Sequence, residues 1–256
     1  HARRRAGRRL QNHRGPSAKM TLMSLLWAIA FGICPQRPSH TLFLGGQPMP
    51  IEARMAGMFG GFLLGAAYFW AVGRGRALRL PGRAMTVTLI GFIVLLGADG
   101  SNALFFDLRL PHLYTPYNPL RLATGLLTGL AFAGFVIPAF NSTIWRTGLD
   151  ASPLTSIRDL VCGLVLEAVY FVTALSGAKV LLIPVSLIAV LGVPVLMGMI
   201  GTVILALVTK RANQATHVTD VLPLALGGLM MAAGMLAMTG GLRYALFGAG
   251  PLELPQ

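Results

Sequence analysis

Charged residues are scarce in this chain of 256 residues: 11% are Asp, Glu, Lys or Arg, whereas 55% are apolar and the mean hydropathy is +0.69. A soluble globular domain carries about a quarter charged residues, so an ordinary soluble enzyme is disfavoured. The 31 glycines and 16 prolines lie within long apolar runs, which excludes a disordered or collagen-like chain. The composition predicts an all-α fold, a polytopic bundle of transmembrane helices.

The chain also has few cysteines and no nucleotide-binding motif. Cys34 and Cys162 are the only cysteines, and neither belongs to a C-x-x-C pair. Their number excludes a zinc site of the usual kind and makes a structural disulfide unexpected. The chain has no Walker A motif, no Rossmann glycine pattern and no haem-attachment motif. We therefore expect no metal and no cofactor, and no ATP-driven transport by this chain alone.

Acidic residues number only 8 against 21 basic ones, which gives a net charge of +13. The first nineteen residues hold seven of the positive charges and no acid. Such a segment suits either nucleic-acid phosphates or anionic lipid headgroups; we favour lipid and expect no nucleic-acid partner. We predict a disordered cytoplasmic arm over 1–19 and a single transmembrane helical domain over 20–256. An alternative is that translation begins at Met20.

Seven apolar segments approach the length of about 20 residues that crosses a bilayer. If these segments cross the membrane one after another, fifteen basic residues fall on one side of the membrane and six on the other. That bias predicts a multi-pass protein of the plasma membrane with a cytoplasmic amino terminus and an external carboxyl terminus. The predicted spans are 20–35, 55–73, 84–103, 122–145, 159–177, 180–209 and 220–242.

Small residues recur four apart on two of these spans, a spacing that lets helix backbones approach closely within a membrane. They serve either packing inside the chain or a homodimer face. The second span carries Gly57, Gly61 and Gly65, and the fourth carries Gly125, Gly129 and Ala133.

Two polar segments, 34–54 and 99–121, fall on the outer side of this threading and are predicted to form one polar cap. The cap is either an active site, with carboxylates as bases and arginines that bind an anionic group, or a set of groups that cap helix ends and pair with one another. We expect Asp99 to end the third span. The candidate residues are Gln36, Arg37, Glu52, Arg54, Asp99, Asn118 and Arg121.

Glu167 lies near the middle of the fifth span, in 160-LVCGLVLEAVYFV-172. An ionisable group at membrane depth is costly and is expected to face the bundle and find a partner. One hypothesis is a proton or ion relay. The other is a protonated or hydrogen-bonded carboxyl that joins helices through Tyr170 or Thr173.

Three ordered motifs, 34-CPQRPSH-40, 47-QPMPIEARMAG-57 and 118-NPLRLATG-125, together with Asp99-Gly100, resemble DUF2085, a family of uncharacterised bacterial integral membrane proteins. The resemblance covers about residues 20–140. The chain departs from the family pattern where a histidine is Pro35 and two cysteines are Glu52 and Met55. If the cysteine-rich version binds a metal or carries out redox chemistry, the resemblance implies that this chain has lost that ability. It implies no known reaction.

Three functions follow as hypotheses. The first is a non-catalytic accessory or assembly subunit of a membrane complex, with membrane lipids and other subunits or a second copy of the chain as partners. The second is a membrane-embedded enzyme that acts on a lipid-linked or anionic substrate at the outer face. The third is a small proton-coupled transporter that uses Glu167.

Overall fold

The computed structural model describes residues 21–250, so the predicted arm over 1–19 lies outside the described residues. Seven α-helices and one β-hairpin follow in chain order. They are α1 (Leu22–Phe31), β1 (Thr41–Leu44), β2 (Gln47–Glu52), α2 (Ala53–Ala71), α3 (Arg83–Asp107), α4 (Asn118–Ile144), α5 (Ile157–Leu175), α6 (Leu182–Val208) and α7 (Val218–Phe247). Short 3-10 turns precede β1 and α6.

The prediction of a mainly α-helical, polytopic architecture is confirmed. Within the described part of the chain, four helical segments are long and apolar enough to cross a membrane. The helices α2 and α5 have 19 residues each and α1 has 10, so the count of seven crossings stays a prediction. The four segments are Arg83–Asp107, Asn118–Ile144, Lys179–Val208 and Val218–Phe247.

Three helix ends differ from the sequence-based expectation, and one of them is that of α7, which continues to Phe247 instead of ending near residue 242. Helix α1 ends at Phe31 instead of near residue 35, because Pro35 has no N–H to donate and disfavours helical conformation in the residue before it. Helix α3 continues to Asp107, so the expectation that Asp99 ends this span was wrong. The helix passes through this polar stretch because Asp99 and Asn102 find partners in other parts of the chain.

The β-hairpin was absent from the all-α prediction. Leu44 pairs with Gln47 across the two-residue turn Gly45-Gly46, where both glycines have positive φ values of 58° and 75°. Glycine adopts that backbone region without the steric cost that a Cβ imposes. Pro48 and Pro50 hid the second strand, because proline is rare within β-sheets except on edge strands such as these.

The helices α2 and α4 form the most extensive helix pair, and their small residues face each other. A Cβ built on Gly129 would lie 2.5 Å from both the carbonyl oxygen of Met58 and the amide nitrogen of Phe62, and Gly65 lies opposite Ala133. Backbones approach this closely only where side chains are absent. The glycine faces of these two helices are therefore occupied inside the chain.

Helix ends and loops sort to two ends of the bundle. At the hairpin end, the amide of Gly45 donates to the carbonyl of Gly177 in the loop after α5 (2.7 Å). At the opposite end, the loop after α2 bonds the loop after α4 through Leu78 and Leu149 (2.9 Å), and Arg146 bonds Ala215 before α7 (2.9 Å). Successive helices from α2 to α7 thus alternate in direction, and both predicted polar segments meet at the hairpin end.

Candidate functional site

Side chains of the two polar segments, 34–54 and 99–121, form a polar cluster at the hairpin end of the bundle. Glu52 is the centre of the first part of this cluster. The backbone amide and the Nε of Arg37 both donate to its Oε1, at 2.9 and 3.1 Å. The Nδ1 of His40 lies 3.6 Å from its Oε2. Arg37 also donates through Nη1 to the Oδ2 of Asp107 at 3.1 Å. This network joins the hairpin to the last residue of α3.

The position of Glu52 explains its charge state. Burial alone raises the pKa of this carboxyl, but the nearby His40 and the hydrogen bonds from Arg37 outweigh burial and lower the pKa to about 2. Glu52 also stands at the N-cap of α2, where the helix dipole favours negative charge. A carboxylate so strongly stabilised in its ionised form is a weak general base at neutral pH.

Asp99 is the centre of the second part. Arg54 donates to its Oδ2 at 2.6 Å, and the hydroxyl of Tyr114 donates to its Oδ1 at 2.8 Å. Asp99 is only 3% exposed. Burial, together with the hydrogen bond to Asp99, raises the pKa of Tyr114 to about 12. The ion pair between Arg54 and Asp99 joins α2 to α3. Asn102 fixes the loop after α3 by donating to the carbonyl of Tyr114 at 2.9 Å.

Arg121 and Asn118 lie in the first turn of α4 and connect it to the hairpin. The Nη1 of Arg121 donates to the Oδ1 of Asn118 at 3.0 Å, and its Nη2 lies 3.2 Å from the Nε2 of His40. Asn118 in turn donates to the backbone carbonyls of Ser39 (3.2 Å) and Thr41 (3.0 Å). Within the described residues, Arg121 makes no ion pair with a carboxylate.

Gln36 and Cys34 fix the turn that leads into the hairpin. Gln36 adopts a positive φ of 59°, and its side chain donates to the carbonyls of Trp27 (3.3 Å) and Pro50 (3.0 Å). The Sγ of Cys34 accepts from the amide of Glu52 at 3.3 Å. Burial, with a smaller contribution from the charge of Glu52, raises the pKa of the Cys34 thiol to about 12. A neutral, buried thiol is unreactive.

Residues 34–135 match the model of DUF2085, which is described as a predicted membrane protein. An uncharacterized protein of the archaeon Methanocaldococcus jannaschii is 26% identical over 121 residues, which are 47% of this chain and 72% of that relative. No solved structure matches the chain. The resemblance stated from the sequence motifs is therefore confirmed.

The matched segment, 34–135, contains the hairpin, α2, α3 and most of α4, and with them the whole polar cluster. In this segment, position 52 lies directly beside Cys34. The family motif that the sequence resembles has a cysteine at this position. Here that position carries a carboxylate paired with Arg37 and His40. Among the described residues, no group of three or more His, Cys, Asp or Glu side chains is arranged to hold a metal ion.

Four polar members of the cluster were not among the candidates chosen from the sequence: His40, Asn102, Asp107 and Tyr114. All four lie in the two polar segments, so their location was visible but their pairing was not. Arg243 on α7 was missed altogether. Its guanidinium donates to the carbonyl oxygens of Phe31 (3.1 Å), Cys34 and Pro35 (2.9 Å). No sequence pattern connects it with residues more than 200 positions earlier.

Glu167 lies outside the matched segment, 34–135, and in the interior of the helix bundle. It is 3% exposed, and neither carboxyl oxygen has a hydrogen-bond partner among the described residues. The two partners suggested by the sequence bond elsewhere: the Tyr170 hydroxyl donates to the carbonyl of Val185 (3.0 Å), and the Thr173 hydroxyl donates to that of Tyr170 (2.8 Å).

Proposed function

We propose that this membrane protein is a non-catalytic accessory or assembly component of a membrane complex, in which the polar cluster clamps the hairpin to α2, α3 and α4. One observation carries the proposal: the carboxylates of the cluster are already bonded to its other side chains. The carboxylates of Glu52 and Asp99 each receive donors on both oxygens.

An active site needs a base or an anion-binding group that reaches its substrate. Glu52, Asp99 and Arg121 are 6%, 3% and 5% exposed. A substrate would have to displace their present partners, and breaking a buried ion pair costs about 3–5 kcal/mol. The same bonds have a direct structural use, because each joins two segments that are distant in sequence. This arrangement favours a clamp over the alternative of a lipid-active enzyme.

The peripheral helices supply the faces for partners. The apolar stretches of α3 and α7 are 22% and 17% buried within the chain, whereas that of α4 is 67% buried. Val94 on α3 and Met230 on α7 are 62% and 75% exposed. These faces suit contact with lipid acyl chains or with the helices of other subunits.

Photo-crosslinkers placed at Val94 and Met230 in native membranes test the proposal. We expect a protein adduct of constant mass at these positions, in a fixed ratio to the chain. Val172, a 66% exposed position on α5, is the matched control and is expected to react with lipid. Lipid adducts alone at all three positions, with a purified monomer that turns over a lipid-linked substrate, would favour the enzyme.

A further inference from the structure

Glu167 belongs to the face of α5 that packs on the α2–α4 pair. Gly163 on this face lies against Leu130 of α4, and Tyr170 lies against Gly60 of α2. Between them, a Cβ built on Gly61 would lie 2.9 Å from the Oε1 of Glu167 and 2.7 Å from the carbonyl oxygen of Leu126. The glycine therefore leaves the space that the carboxyl group occupies.

Among residues 21–250, no counter-ion faces this carboxyl. The titratable side chains on the helices packed against α5 are Arg54 and Tyr68 on α2 and Arg121 on α4, and α6 and β1 carry none. Arg54 bonds Asp99 and Arg121 bonds Asn118. Tyr68 lies beside Gly163, one turn before Glu167. Within the described residues, both carboxyl oxygens are buried without a donor.

The polar groups on α5 itself are also engaged or distant. Asp159 pairs with Arg74 at 2.5 Å, two turns away at the opposite end. Tyr170 reaches α6 through its bond to the carbonyl of Val185. The next residue, Ser186, is fully buried and its hydroxyl likewise has no partner among the described residues. In the described part of the chain, Glu167 on α5 and Ser186 on α6 are thus both buried without a hydrogen-bond partner.

An ionised carboxylate at such a place is strongly unfavourable, because nothing replaces the water that it loses. The neutral acid avoids that cost and carries an O–H that is able to donate to a backbone carbonyl. We propose that Glu167 is a proton-binding site: it holds a proton as the neutral acid against Gly61, and it releases the proton only when α5 moves away from α2 and α4. This inference is independent of whether the chain is a subunit of a complex.

Infrared spectroscopy of the full chain in a detergent without ester groups tests the proton directly. At neutral pH we expect a carbonyl-stretch band of an un-ionised carboxylic acid in the wild-type chain. The band should be absent from Glu167→Gln and present in Glu167→Asp. A wild-type chain without an acid band at neutral pH overturns the proposal, and that measurement needs no variant to fold. A band of equal intensity in Glu167→Gln overturns it as well.

Movement of α5 is read from an environment-sensitive fluorophore on Cys162, which is exposed on the same helix, while Cys34 is buried. Raising the pH should shift the emission of the wild-type chain and leave Glu167→Gln unchanged. Equal pH responses in the two chains, or no response in either, would refute the coupling of proton release to helix movement. A shift of the emission caused by sodium ions at constant pH would show that the site binds a cation instead of a proton, and would overturn the proposal.

Discussion

Replacing Asp99 by Asn should destabilise the protein far more than the same replacement at Asp150. Asp99→Asn keeps the shape of the side chain but removes the charge that binds Arg54 at 2.6 Å. Breaking a buried ion pair costs about 3–5 kcal/mol. Because the side chain of Arg54 is 27% exposed, water recovers part of that cost, and we expect a loss of about 2–3 kcal/mol.

The pair between Arg79 and Asp150 is the internal control, because its side chains are 67% and 71% exposed. Asp150→Asn should therefore cost less than about 1 kcal/mol. Unfolding in mixed micelles, followed by circular dichroism, gives the free energy of unfolding of each variant. The double variant Arg54→Gln/Asp99→Asn should lose less than the sum of the two single losses. Equal losses for Asp99→Asn and Asp150→Asn would refute the clamp.

Further predictions concern packing, pH and orientation. Gly129→Ala should lower the free energy of unfolding, because its Cβ would stand 2.5 Å from the α2 backbone; Gly91→Ala, where a Cβ meets nothing within 4 Å, should stabilise α3 by up to about 1 kcal/mol. The pKa of Glu52 is lowered from 4.5 to about 2. Its contribution to stability is therefore complete above pH 4.5 and is lost as the pH falls towards 2, so Glu52→Gln should flatten the unfolding profile over that window. The orientation is tested in a background in which the exposed Cys162 is replaced by serine. A membrane-impermeant maleimide added to intact cells should label Leu113→Cys at the hairpin end but not Arg211→Cys at the opposite end. The reverse labelling pattern would show that the predicted orientation is inverted.

Local sequence patterns predicted most of the helices, because a helix that crosses lipid must be long and apolar along its own length. The helices α1 to α6 begin and end within four residues of the predicted spans, and α7 extends five residues past its predicted end. The hairpin was not predicted because a hairpin is defined by pairing between strands, such as that of Leu44 with Gln47. Its prolines, taken alone, are typical of turns. The passage of α3 through Asp99 escaped for a related reason, since polar residues inside a membrane-spanning helix are costly unless distant partners satisfy them.

The amino-acid sequence alone determines the class of the protein, its helical segments and the two polar segments, since hydropathy and spacing are properties of neighbouring residues. The tertiary structure decides which of these groups meet. Arg37 bonds Glu52 and Asp107, and Arg243 reaches the end of α1, because packing brings together residues far apart in the chain. The same packing leaves Glu167 without a donor among residues 21–250. Whether a buried ionisable group has a partner depends on the neighbouring helices, and no local pattern encodes that.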